Sequence, residues 1–423
     1  MTVSRHKRRV STTRALGLAI AGLALALVLG VVGGVAIYNT KDGEAQGNSA
    51  PVDRFPDTPT GMVAVVDGLG NLGSVAVFAV RPPDESGAAR GGSVVVLPVS
   101  ADVSGGFGDE RIPLAQLATT YGTDALADDV SALLGLAIDA PLVVTVEELG
   151  AVLGSLGPLA VDLPEGVVGR DGSELAAAGA QTLDPPTAAA VLGASSDVVP
   201  GTSTARADLA VWRAIAAAVG PGLPEPWALP DGTPTPTVTA FSELLSGPVG
   251  VSAVGSRALS DLAVNPSGVD AVALDRAEVV TIFGHIAPSR VAAPNTGYTA
   301  LVRSPFADDQ LDGLTRYDVA YAATGALLGV DANVLSVDTT ADEAGEQTVI
   351  EVADESMVTS AERLADVFGD VDVRVAERRV AGVNLIITLG TAYLPIVEST
   401  TRPSGAASAT STAPTAPATE ETL

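Results

Sequence analysis

The sequence has no cysteine and only two histidines, His6 and His285, among 423 residues. Disulfides, thiol nucleophiles and thiolate metal sites are therefore excluded. Zinc centres and Ser/His triads lack the residues they need. Aromatic residues are also scarce, at 4% of a chain that is 47% hydrophobic. Basic residues are few as well: 23 Lys and Arg face 50 Asp and Glu, for a formal net charge of -27. Five of those bases (Arg5, Lys7, Arg8, Arg9, Arg14) lie in the first 14 residues, which contain no acid. The rest of the chain is strongly acidic, repels phosphate backbones and excludes nucleic acid as a partner. The length allows two or three domains with a sizeable core.

One long apolar run is present. Residues 15–38 carry no charge, and Leu16, Ile20, Leu23, Leu27, Val28, Val31 and Val32 make the run apolar on every face. As a helix of about 24 residues it would reach roughly 36 Å, enough to cross a hydrocarbon core of about 30 Å. The basic arm 1–14 reads as a topology signal that keeps the N-terminus in the cytoplasm. The expectation is a single-pass protein of the cell membrane with its bulk extracellular. A cleaved secretory signal is the competing reading, but its apolar region is usually shorter and Val35-Ala36-Ile37-Tyr38 makes a poor cleavage site.

The remainder divides by composition. Residues 39–58 read as a solvated tether, and 396–423, rich in Ser, Thr, Ala and Pro, as a disordered tail. Between them the expected fold class is α/β: a mixed-sheet domain over 59–219, a Pro- and Gly-rich connector with short elements over 220–289, and a smaller α/β domain over 290–395. In the first domain, strands are expected at 62–66, 74–80, 93–97, 142–146 and 159–162, with helices at 114–121, 124–134, 147–156 and 205–219. In the second, strands are expected at 299–303, 333–338, 348–352, 372–375 and 385–389, with helices at 316–328 and 357–368.

Gly68-Leu69-Gly70-Asn71-Leu72-Gly73 matches the G-x-G-x-x-G pattern of dinucleotide-binding loops. That pattern needs a helix after it, whose N-terminus holds the pyrophosphate. Here β-branched and apolar residues follow (Ser74-Val75-Ala76-Val77-Phe78-Ala79-Val80), so the glycines are expected to join two strands.

The order of features over residues 60–217 resembles the LytR-CpsA-Psr family of cell-envelope phosphotransferases. Residues 290–393 resemble the LytR C-terminal domain that often follows it in high-GC Gram-positive bacteria. The resemblance rests on the strand pair Met62 to Val80, on Val94-Val95-Val96-Leu97-Pro98, on Leu133 to Asp139, and on Ala178-Gly179-Ala180-Gln181-Thr182-Leu183-Asp184, where Pro185 replaces the final glycine of a G-x-Q-x-L-x-G stretch. For the second domain it rests on Ser360 to Phe368 and on Val383-Asn384-Leu385-Ile386-Ile387-Thr388-Leu389-Gly390. The second domain is read as an interaction module.

The resemblance implies transfer of a glycopolymer from a polyprenyl-pyrophosphate carrier to peptidoglycan. That chemistry uses two carboxylates on magnesium and several arginines on the pyrophosphate. Several family positions for these groups are neutral here: Gly73 and Ser74 at the start of the second strand, Val99 and Ser100 after Pro98, and Gly193 and Ser195 after the G-x-Q-x-L tract. Only Asp67 carries over as an acid, and Arg206 and Arg213 are what remains of an arginine-rich helix start. The leading expectation is a pseudoenzyme without cofactor or metal that binds, scaffolds or regulates during wall assembly. Its partners would be the cytoplasmic membrane and a cell-wall glycopolymer, peptidoglycan or polyprenyl lipid. The alternative is an active magnesium-dependent phosphotransferase with a relocated site at Asp67, Arg206 and Arg213. A third reading is a plain structural spacer. His285 is expected in a turn or in the core, and Trp212 and Trp227 as packing residues, with Trp227 a candidate for lining a groove.

Overall fold

The computed structural model describes residues 51–83, 90–105, 110–121, 125–195, 201–223, 235–292 and 297–401. The body from Asp53 onwards contains two five-stranded sheets. The first is built from β1 (Thr60–Val66), β2 (Leu72–Val80), β3 (Gly92–Leu97), β4 (Ala140–Thr145) and β5 (Val249–Ala253), in the spatial order β5-β3-β2-β1-β4. β1 and β2 form an antiparallel hairpin, β2 pairs antiparallel with β3, and β4 and β5 join the two edges as parallel strands. β1 and β2 are buried along their whole length. This explains why they read as continuous aliphatic runs rather than alternating ones: both faces of the sheet are covered.

On one face, Val63, Val65, Ala76, Phe78, Val94 and Val96 pack against α3 (Val146–Leu153), α4 (Pro185–Leu192), α5 (Gly201–Val219) and α6 (Pro236–Leu245). Phe78, Phe241 and Trp212 meet edge to face there, with ring centroids 5.6 and 6.5 Å apart. On the other face, Met62, Ala64, Val75, Val77, Val95 and Leu97 pack against α1 (Leu114–Tyr121) and α2 (Leu126–Leu134). Helix starts follow the capping rules. Thr145 and Glu148 close a capping box on α3, and Asp184 accepts from the Thr187 amide ahead of two prolines on α4.

The second sheet has the order β7-β6-β10-β8-β9, from β6 (Thr299–Arg303), β7 (Asn333–Asp338), β8 (Thr348–Val352), β9 (Val371–Val375) and β10 (Leu385–Thr388). All neighbours run parallel except β8 and β10. α8 (Arg316–Leu328) covers one face, where Val319, Ala320, Ala323 and Leu327 meet Ile350, Ile387 and Phe368.

The stretch expected to be a connector, 220–289, contributes to the cores of both sheets. It supplies α6, the edge strand β5 and α7 (Arg276–Ile286). α7 lies between the two sheets: Val279, Ile282 and Phe283 belong to the core under α1 and α2, whereas Val280 belongs to the core of the second sheet. His285 is an exposed residue of this helix, with Nδ1 3.1 Å from the Val337 carbonyl oxygen, not the turn or core residue expected. The expected boundary at 290 falls inside a seam. Arg290 pairs with Asp57 and Asp139 at 2.9 and 3.0 Å, and its backbone carbonyl accepts from Ala137. The end of the expected tether is packed too, since Phe55 lies against Leu301, Leu335 and Ile386.

The single-span architecture expected from the sequence is corrected. Among the described residues no helix is long and apolar enough to cross a membrane; the longest, α5, carries Arg206, Asp208 and Arg213. The run Ala15–Tyr38 and the basic arm lie outside the described residues. The expected disordered tail is also shortened, because a helix occupies Leu394–Thr401; residues 402–423 lie outside the described residues.

Candidate functional site

The turn between β1 and β2 brings together four of the positions singled out in the sequence: Asp67, Gly73, Gly193 and Ser195. It joins two antiparallel strands and no helix follows it, so the glycine-rich pattern is a hairpin connection. Asp67 organises it. Its Oδ1 accepts from the Leu69 amide at 2.9 Å and the Asn71 amide at 2.8 Å, and its Oδ2 accepts from Asn71 Nδ2 and from Ser195 Oγ, both at 2.8 Å. Burial alone would raise the Asp67 pKa, but the hydrogen bonds from Asn71, Ser195 and Leu69 outweigh it and hold the carboxyl below its ordinary value. Both oxygens are occupied by donors of the protein itself.

The neutral positions opposite are closed off by neighbouring atoms. A Cβ on Gly73 would lie 2.5 Å from the carbonyl carbon of Gly193, and a Cβ on Gly193 would lie 2.2 Å from a methyl of Val146. The start of β2 therefore rests directly on the C-terminal cap of α4. The two positions where the family resemblance asks for an acid and an arginine have no room for any side chain.

One acidic side chain at this end of the sheet was not foreseen. Asp208, on the inward face of α5, is 1% exposed, and neither of its oxygens has a hydrogen-bond partner within normal range among the described residues. Ser74 on β2 is equally buried and unpartnered, yet close enough that its hydroxyl weakly favours the charged carboxylate. Burial dominates and pushes the Asp208 carboxyl well above its ordinary value. A signal existed in the sequence: Asp208 stands at helical spacing with Val211, Trp212, Ile215 and Val219, an acid inside an apolar stripe.

The structure does not gather Asp67, Arg206 and Arg213 into one site. Arg206 pairs with Glu165 at 3.3 Å on the surface, with 65% of its side chain exposed. It and Arg213 lie roughly 140–160° around α5 from Asp208 at 100° per residue. Arg213 is exposed and makes no ion pair among the described residues. Magnesium does not fit here either. The Asp67 oxygens are already saturated, Asp208 is sealed in the core, and no three His, Asp or Glu side chains among the described residues gather closely enough to hold a metal ion. Trp212 is a packing residue at 2% exposure, and Trp227 lies outside the described residues.

The chain is similar to LytR-CpsA-Psr proteins. A LytR-Csp2A-Psr enzyme from Actinomyces oris matches 54% of this chain and 93% of its own at 19% identity, with a TM-score of 0.36. TagV from B. subtilis matches 53% of this chain and 94% of its own at 12% identity and a TM-score of 0.37. A structure of TagT bound to LIIa-WTA matches 56% and 94% at 14% identity and 0.39. No family model matches the sequence, and no curated protein does. At these identities the similarity carries no statement about chemistry, which is read from the residues above.

Proposed function

We propose that the chain acts in cell-wall assembly, on the outer side of the cytoplasmic membrane, as a non-catalytic protein that binds or scaffolds cell-wall glycopolymer or peptidoglycan. The direct contact between Gly73 and Gly193 carries this reading. Transfer from a pyrophosphate carrier needs cationic side chains around a diphosphate and a metal held by carboxylates. Where the resemblance to LytR-CpsA-Psr proteins would put them, two backbones touch and the one remaining acid serves a turn. Binding a wall polymer, unlike transferring it, requires no metal-held diphosphate.

The test incubates the full chain with magnesium, a polyprenyl-pyrophosphate-linked glycopolymer and peptidoglycan, and follows both transfer and co-sedimentation with the wall fraction. Co-sedimentation without transfer is expected. Transfer of the polymer, at any magnesium concentration, would overturn the reading.

A further inference from the structure

A cavity of about 530 Å³ opens on the other side of the first sheet, bordering the core under α1 and α2. Its floor is a short hairpin, Ser256–Ala258 paired antiparallel with Val272–Leu274, in which Arg257 lies opposite Ala273. Leu133 of α2 and Leu274 and Val279 from the hairpin and α7 form its apolar wall. The loop between the hairpin strands is a built element. Asn265, 3% exposed, donates to the carbonyls of Leu259 and Val269 at 2.6 and 2.9 Å, and Arg111 donates to the carbonyl of Val264. Arg111, 9% exposed, is itself anchored to Asp102 and Ser104.

Two further arginines line this cavity, and neither has a carboxylate partner among the described residues. Arg257 makes no side-chain hydrogen bond there. Arg276 donates only to the Leu134 carbonyl at 3.3 Å and leans over Gly135 at the end of α2. Partial desolvation lowers its pKa from the ordinary arginine value without neutralising it. Asp261, also at the rim, is turned to its own loop and accepts from the Ala263 amide at 2.8 Å. The same loop leaves Leu262 and Val264 exposed at 72% and 40%. Unpaired guanidinium groups beside an apolar wall, with uncovered aliphatic side chains at the mouth, suit a molecule that is anionic at one end and apolar at the other.

We propose that this cavity binds a small amphipathic anion, its carboxylate or phosphate held by Arg257 and Arg276 and its apolar part lying on Leu133, Leu274 and Val264. Its size matches a drug-sized ligand. The site shares no residue with the Asp67 turn, so its success or failure is independent of the function proposed above.

The experiment is calorimetric titration of the full chain, below micellar concentration, with decyl phosphate, decanoate, decanol and inorganic phosphate. Decyl phosphate or decanoate should bind at least tenfold more tightly than decanol or phosphate alone, and the stronger of the two identifies the headgroup. Arg257→Ala together with Arg276→Ala should weaken that binding at least tenfold, and Arg363→Ala, on the second domain, should leave it unchanged. Arg257→Ala alone, a change at an exposed side chain, gives the same reading if the double variant does not fold. Equal affinity for decanol, unchanged binding in Arg257→Ala, or no binding of any probe to the folded chain would overturn the proposal.

Discussion

Asp67 and Asp208 sit at the same end of one sheet and meet opposite fates. Asp67 is held charged by four donor groups, and its folded pKa is depressed. It therefore stabilises the fold above its unfolded value near 3.8, and this stabilisation is lost as pH falls through the lower folded value. Asp67→Ala should cost about 1–2 kcal/mol in urea unfolding at pH 7, with the difference from wild type shrinking below pH 4. Asp208 behaves in the reverse sense. Its folded pKa is raised, so the folded state keeps a proton the unfolded chain gives up, and stability falls as pH climbs above the unfolded value. Asp208→Asn cannot ionise and should be more stable than wild type at pH 8, with the advantage growing as pH rises. Thermal unfolding of both proteins from pH 4 to 8 checks this; a constant difference across that range would contradict the buried, protonated state.

At the scale of elements, the contact of β2 with the cap of α4 decides whether a carboxylate can be accommodated at position 73. Gly73→Asp places a side chain against the Gly193 backbone, which no rotamer change relieves. We expect it to cost about 1–3 kcal/mol or more by overpacking and to recruit no magnesium, as read by denaturant unfolding with and without the ion. Stabilisation by magnesium would mean that α4 moves away more easily than its packing suggests. The long elements were legible in the sequence. β1 to β3, α1, α8 and β6 to β8 lie where the aliphatic runs and helical spacing place them, because each buries a continuous face. The elements missed were those whose signal is weak or non-local. β5 reads Val-Gly-Val-Ser-Ala and is mostly half-buried, so nothing local marks it as a strand of a central sheet. α7 carries Val279, Val280, Thr281 and Ile282 in succession, a β-like run. Its start was nonetheless marked by the Asp275 cap three residues before Glu278. The neutral residues of the candidate site could be read off one by one. Their meaning depends on Gly73 meeting Gly193 across 120 residues of chain, and no spacing rule exposes that contact.

At the scale of the whole molecule, α7 contributes side chains to the cores of both sheets, so the two are expected to unfold together. Phe283 is 1% exposed in the core under α1 and α2, and Val280, three residues earlier, is 6% exposed in the core of the second sheet. Phe283→Ala should cost about 3–5 kcal/mol. Tryptophan fluorescence, which reports from residues before α7, and far-UV dichroism, which reports from both sheets, should give one shared midpoint in wild type and variant alike. Two separate transitions would show that each sheet folds on its own.

The edge position of β5 has a consequence for synthesis. β3, Gly-Ser-Val-Val-Val-Leu, needs β5 to satisfy the backbone groups of its outer edge, and β5 is made roughly 150 residues later. At about 5–20 residues per second, the ribosome takes roughly 8 to 30 s to supply it. For that interval the nascent chain leaves an uncharged strand edge unpaired, of the kind that templates aggregation. A holding factor that shields the edge until Val249 to Ala253 emerges should therefore raise the yield of folded protein.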